Sequence, residues 1–234
     1  MQTLILRRVC AISDHGLAGV LTLGYSLAAM QSQAHGIRHK GLVRTTHWIN
    51  ALSFLALAVS GAAILLAHPR FYWGETGYFD TPAAIELPLK PNLDQSGWGR
   101  SLHFLAAWIA VANGLIYAAW GLASGHFRHK LLPVRADSQG YSLLQRIAYL
   151  AVVFGLLPIA VLSGLTMSPA VTAAYPGLFA LFGGRQSART IHFIAADLLM
   201  LFLVVHIAMT IWSGFANNMR SMITGVYTLP AEEQ

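Results

Sequence analysis

The stretch TIHFIAADLLMLFLVVHIAMTIWSG, Thr190–Gly214, is 25 residues of almost unbroken apolar sequence that carries two histidines, His192 and His206, fourteen positions apart. At about 1.5 Å of rise per residue a helix of this length exceeds the roughly 30 Å hydrocarbon core of a bilayer. The histidines then stand about 21 Å apart along the axis, offset by about 40° around it, so they share one face. One metal ion cannot take both, because imidazole ligands sit about 2 Å from the metal. Two cofactors stacked across a membrane can.

The rest of the chain agrees with a membrane setting. Of 234 residues, 56% are hydrophobic and only 10% charged, a composition of membrane proteins. Besides Thr190–Gly214, three further stretches approach the 20 or so apolar residues a span needs: about Thr45–Ala67, Ser101–Ala123 and Leu143–Met167. The predicted fold is therefore an all-α membrane protein, a four-transmembrane-helix bundle over residues 31–234 without a separate soluble domain. The net charge of +6 comes from residues flanking the spans, not from a contiguous basic run, which argues against nucleic acid and for membrane orientation. The single cysteine, Cys10, rules out an internal disulfide, a Cys-ligated iron–sulfur cluster and covalent haem attachment. No phosphate-cradling glycine loop or dinucleotide fingerprint occurs. Redox chemistry here needs a non-covalent cofactor held by other side chains.

Residues 1–30 stand apart. Ile12–Met30 is moderately apolar but contains Asp14 and His15, and Arg7 and Arg8 precede it. It reads as an uncleaved signal-like segment, as a weak extra span, or as upstream sequence with Met30 the start; the last is the reading favoured here. Lys and Arg set the orientation. Arg38, Lys40, Arg44, Arg128, Lys130, Arg135, Arg146 and Arg220 fall on one side, eight against the five of Arg70, Lys90, Arg100, Arg185 and Arg189. This bias puts both ends of the bundle and the Gly125–Tyr141 loop in the cytoplasm, and the Pro69–Gly99 connection in the periplasm. That connection holds Phe71, Tyr72, Trp73, Tyr78, Phe79 and Trp98. Such residues favour the headgroup level, so it reads either as an interfacial lid or as a docking surface for a periplasmic partner. The Ser168–Arg189 loop lies beside it.

Four histidines then sort by depth. His103 and His192 open their spans at the periplasmic level, and His47 and His206 lie at the cytoplasmic level. Bis-histidine ligation of two b-type haems needs that pairing, because two imidazoles fill both axial positions and leave the iron to one-electron transfer. An arginine precedes three of the four by three residues: Arg44, Arg100 and Arg189. That spacing shares a helix face. These arginines either contact haem propionates or snorkel to fix the helix ends. Gly61 and Gly114 fall near the faces of His47 and His103 at the depth of the other haem, where a missing side chain gives a porphyrin clearance; small residues also serve helix contacts. Asp197 is the only acid within the four spans and reads as a quinone-linked proton carrier or as a helix–helix hydrogen bond. By depth alone Trp48, Asn50 and Tyr149 are candidates to line a quinone site. His15, His35, His39, His68, His126 and His129 read as solvated.

The runs Arg44-Thr-Thr-His47-Trp48-Ile-Asn50, Gly97-Trp-Gly-Arg100-Ser-Leu-His103 and Gly183-Gly-Arg-Gln-Ser-Ala-Arg189-Thr-Ile-His192, with His206, resemble the bacterial cytochrome b561 and nickel–iron hydrogenase cytochrome b family. The likeness spans about Gly41–Gly225. It implies a four-helix cytochrome of the cytoplasmic membrane with two haem b groups on His47, His103, His192 and His206, exchanging electrons between the quinone pool and a partner enzyme. The Phe71–Glu75 and Ser168–Pro176 loops are most similar to members paired with periplasmic molybdopterin oxidoreductases. The expected role is thus an electron-transfer subunit of a respiratory oxidoreductase, not a stand-alone enzyme. One rival is a free-standing superoxide:quinone oxidoreductase of similar fold, which has no use for a long docking loop. Another is a haem-free anchor or metal transporter, and purified protein without haem would favour it.

Overall fold

The computed structural model describes residues 35–37, 39–77, 81–125, 147–148 and 150–228. The readings for residues 1–30, for Arg38, Tyr78, Phe79 and Tyr149, for His126, Arg128, His129, Lys130 and Arg135, and for the start of the Leu143–Met167 span with Arg146 lie outside the described residues. In chain order the elements are β1 (His35–Ile37), α1 (Gly41–Ala67), β2 (Arg70–Phe71), β3 (Ile85–Glu86), a 3-10 turn (Leu93–Gln95) and α2 (Ser96–Ala123). A π-helical turn (Val152–Leu156) then runs into α3 (Leu157–Thr166), followed by α4 (Pro169–Ala174), α5 (Pro176–Phe182), α6 (Arg185–Trp212), α7 (Phe215–Thr224) and β4 (Val226–Thr228).

The architecture is all-α, divided into a larger unit, Leu42–Ser213, and a smaller one of Met1–Gly41 with Gly214–Gln234. Within the larger unit α1, the run Leu93–Ala123 that contains α2, and α6 are each long and apolar enough to cross a membrane, and Val152–Thr166 is a shorter apolar helix. The helices start earlier than hydropathy predicts: α1 at Gly41, α2 at Ser96 and α6 at Arg185. Hydropathy marks only the part of a helix that sits in hydrocarbon, whereas backbone hydrogen bonding continues into the polar flanks. The π turn precedes Pro158, the second residue of α3. Proline offers no N–H to the carbonyl four residues back, and the wider turn accommodates that gap.

Packing is inverted relative to a water-soluble bundle. Ser60, Ser163, Thr166, Thr190 and Ala188 are completely buried, while Leu52, Leu115 and Val204 are 68%, 66% and 61% exposed. Hydrocarbon solvates leucine as well as another helix does, so association rests on close backbone approach through small residues. Gly99 of α2 sits against Ala63 of α1, where an added Cβ would stand only 3.0 Å from the alanine methyl.

The connections at one end of this unit are ordered. β2 and β3 pair antiparallel, Arg70 opposite Glu86, and these two side chains form an exposed 2.7 Å ion pair. The Ser168–Arg189 segment, read from sequence as a loop, holds α4 and α5, each beginning on its proline. Proline at a first helical position loses no bond, since that N–H has no intrahelical acceptor. The α6 N-terminus is capped by backbone from the segment after β2: the Gly74 carbonyl accepts from the N–H groups of Gln186 (3.0 Å) and Ser187 (3.2 Å). The Gly74 N–H donates to Ser187 Oγ (2.7 Å), and the Thr190 hydroxyl bonds the Tyr72 carbonyl (2.7 Å). Gly184 permits this approach. Its φ is +111°, and a Cβ there would overlap the Gly74 carbonyl.

In the smaller unit β1 and β4 pair antiparallel with His35 opposite Thr228. The Asn217 amide of α7 bonds both the N–H (3.0 Å) and the carbonyl (2.9 Å) of Thr228, tying the helix to the strand.

Candidate functional site

Two histidine pairs form in the larger unit, both completed by α6. His103 of α2 faces His192, with ring centres 6.1 Å apart and planes at 69°. His47 of α1 faces His206, with centres 6.4 Å apart and planes at 49°. Two metal–nitrogen bonds of about 2 Å, plus about 1.2 Å from each nitrogen to its ring centre, put collinear axial imidazoles about 6.4 Å apart. Both pairs meet that spacing. Among the described residues no three or more of His, Cys, Asp and Glu gather into a metal-binding group. Each pair therefore offers two ligands, too few for a protein-only zinc site and the number that would complete a six-coordinate porphyrin-bound iron.

The His103/His192 pair is held through its Nδ1 atoms. His192 Nδ1 lies 2.8 Å from the Ala160 carbonyl and 3.2 Å from Ser163 Oγ, both on α3. A carbonyl can only accept, so Nδ1 carries the proton and Nε2 keeps its lone pair. His103 Nδ1 lies 3.0 Å from Ser60 Oγ on α1. Fixing one ring nitrogen in this way is how a ligating histidine is oriented.

The His47/His206 pair is built differently. His47 Nδ1 is buried with no hydrogen-bond partner, and its ring meets Trp48 edge-on at 5.5 Å. His206 is exposed, with Phe202 stacked on it at 5.9 Å. The helical turn around His47 is clamped by Asn113 of α2, only 5% exposed. Its amide donates to the Thr46 carbonyl and to Asn50 Oδ1, both at 2.8 Å.

The remaining predicted residues find the following places. Arg189 donates to the His68 carbonyl (2.5 Å) and lies 4.9 Å above the Phe71 ring, which stacks on Phe193 at 4.3 Å. Arg44 is half-buried on α1 and Arg100 exposed on α2. Partial desolvation holds the His68 imidazole, just past α1, below its ordinary pKa, and the charges of Arg189 and Arg100 add to this. Gly61 faces the His103 ring: an added Cβ would stand 3.8 Å from its Cε1, while nothing lies within 4 Å of one at Gly114. Asp197 is exposed on α6. Of the loop aromatics, Phe71 and Tyr72 are buried, while Trp73 and Trp98 are exposed.

Sequence reasoning missed three residues. Asn113 is a lone amide in an apolar span, a signal open to anyone asking what a buried polar group bonds to. Ser60 and Ser163 are marked by a recurring pattern, Val59-Ser60-Gly61 and Leu162-Ser163-Gly164. Gly164 repeats the placement of Gly61, with an added Cβ only 3.3 Å from His192 Cε1.

Residues 38–225, which include all four paired histidines, match the family described as prokaryotic cytochrome b561. The chain belongs to that family. A relative in Azospira oryzae, described as a putative protein-methionine-sulfoxide reductase subunit YedZ1, is 34% identical over 192 residues, covering 73% of this chain and 88% of the relative. No solved structure matches the chain. As a member of the cytochrome b561 family, with several membrane-length helices, the protein is a membrane haem protein.

Proposed function

We propose that this chain is a dihaem b-type cytochrome carrying electrons across the bacterial cytoplasmic membrane between the quinone pool and a periplasmic oxidoreductase. The observation that carries the reading is the recurrence of one ligand spacing, 6.1 Å and 6.4 Å, in two pairs that share α6. His103 with His192 would hold one haem b, and His47 with His206 the other. Iron so ligated supplies one-electron transfer and has no open position for oxygen. The chain's own part is to present the imidazole lone pairs, keep water away and shape the surroundings that tune the potential. Arg44, Arg100 and Arg189, each one turn before a ligand, are the proposed propionate contacts. Arg189 is already aligned by the His68 carbonyl and the Phe71 ring and keeps further donors.

The excess of Lys and Arg puts the His103/His192 level on the periplasmic side. There the ordered 68–77 segment and exposed Trp73 and Trp98 support a docking role. The name of the Azospira relative, a subunit of a reductase, supports a catalytic partner subunit, for which we propose a molybdopterin enzyme.

Haem content per chain and a dithionite-reduced minus oxidised spectrum of the detergent-purified protein test the reading. Two b-type haems per chain are expected. One haem refutes one of the pairs, and none after haem-sufficient expression refutes the cytochrome reading.

A further inference from the structure

The two ligands of the outer pair are held by the same device on two different helices. On α1, Ser60 donates its only hydroxyl proton within its own helix, with the Ala56 carbonyl at 2.7 Å and that of Leu57 at 3.2 Å. On α3, Ser163 does the same toward Ile159 at 2.6 Å and Ala160 at 3.2 Å. With that proton spent, each hydroxyl oxygen turns its lone pairs outward, and each meets an imidazole Nδ1: His103 at 3.0 Å and His192 at 3.2 Å. Both hydroxyls are completely buried. The residue after each serine is a glycine against the same ring, at 3.8 Å for Gly61 and 3.3 Å for Gly164, measured from an added Cβ to Cε1. Each ring also meets the carbonyl three residues before its serine. His192 has Ala160 at 2.8 Å, closer than Ser163, whereas His103 is held at 3.0 Å by Ser60, with the Leu57 carbonyl a further acceptor. At the inner level His47 Nδ1 has no such partner.

From this geometry we infer that Ser60 and Ser163 are positioning residues that fix the Nδ1–H tautomers of His103 and His192 and set the potential of the outer haem. The inference rests on the dihaem reading above. An Nδ1–H that donates to an oxygen gives its ring more electron density, which makes the imidazole a more basic ligand. A more basic ligand favours ferric over ferrous iron, so removing the acceptor raises the potential. Ser60→Ala removes the 3.0 Å partner of His103 and leaves it only the Leu57 carbonyl contact; Ser163→Ala leaves His192 its 2.8 Å carbonyl. The first should have the larger effect.

The test is a redox titration of the full chain, purified with its haem, followed by absorbance and by the low-spin ferric EPR signals. In the unaltered protein two components are expected, and the one missing from His103→Ala is the outer haem. Ser60→Ala should keep both haems and shift the outer component's ferric-to-ferrous ratio at fixed potential about three- to tenfold toward ferrous, up to about 59 mV upward for one electron. The outer EPR g-values should move with it and the inner component should not. Ser163→Ala should shift the same component less, and Ser60→Thr, which keeps the hydroxyl, should restore the original potential. Outer haem lost from Ser60→Ala but kept by Ser60→Thr also supports the inference. Two components that both stay in place in the alanine variants overturn it, as does haem loss from alanine and threonine variants alike, which would mean packing alone. If the unaltered protein lacks two components, it is the dihaem reading that fails.

Discussion

Exchanging Asn113 for leucine tests how the turn that carries His47 is held. The two side chains have the same number of heavy atoms and the same branching at Cγ, and leucine is the bulkier, so the change removes the amide without opening a cavity. Two bonds of 2.8 Å are lost, to the Thr46 carbonyl and to Asn50 Oδ1. The Thr46 carbonyl can keep an intrahelical bond, so the larger loss falls on Asn50. Side-chain hydrogen bonds between membrane helices average about 0.6 kcal/mol and reach about 1.7. The pair together should therefore contribute about 1–3 kcal/mol, or roughly a five- to hundredfold change in an equilibrium at about 1.4 kcal/mol per tenfold. Reversible unfolding of the detergent-solubilised protein by SDS titration measures the stability, and haem retained after size exclusion reports on the His47/His206 pair. A double-mutant cycle with Asn50→Leu isolates the bond between the two amides, for which we expect a coupling of about 0.6–1.7 kcal/mol. A coupling below about 0.3 kcal/mol would refute the clamp, since independent sites add to within that margin.

Other expectations bear on the site and its frame. His103→Ala or His192→Ala should each remove the outer haem and leave the inner one at least partly bound, read as about half the haem per chain. Two haems retained in either variant would mean the ligands are misassigned. Gly184→Ala forces a β-carbon into the left-handed region and onto the Gly74 carbonyl. It should cost about 3 kcal/mol or more and expose the 68–77 segment to protease, whereas an unchanged melting temperature would show that the cap does not depend on that contact. His68 is held below its unfolded pKa, so its protonation is harder in the folded state. Its contribution is unaffected well above pH 7 and turns unfavourable as pH falls through about 6.5 toward the depressed value. His68→Gln should make stability fall less steeply over that interval in a pH series of melting temperatures, and identical slopes would count against desolvation and the neighbouring arginines holding His68 below its ordinary value.

The all-α membrane character was legible because hydropathy is a local property, summed residue by residue along each span. So was the common face of His192 and His206, which follows from helical periodicity alone. Cross-helix pairing of His103 with His192 and His47 with His206 could also be read, because depth in a bilayer is set by position within a span. Other features depend on how each helix is rotated and how closely its neighbour approaches. Periodicity placed Gly61 near the His47 face at the depth of the other histidine pair, and only the packed bundle shows that it lies against the His103 ring. Asn50 was a quinone candidate by depth, and the α1–α2 contact engages it with Asn113. Arg189 lies three residues before a ligand in any helix, but its tie to the His68 carbonyl and Phe71 exists only because the segment after α1 folds back over α6. Composition and periodicity by themselves determined that the chain is a helical membrane protein with histidines at two depths. Only the tertiary structure decided which serine or carbonyl holds His103 and His192 and which amide clamps the turn of His47, because a hydrogen bond between helices depends on tenths of an ångström that no single helix specifies.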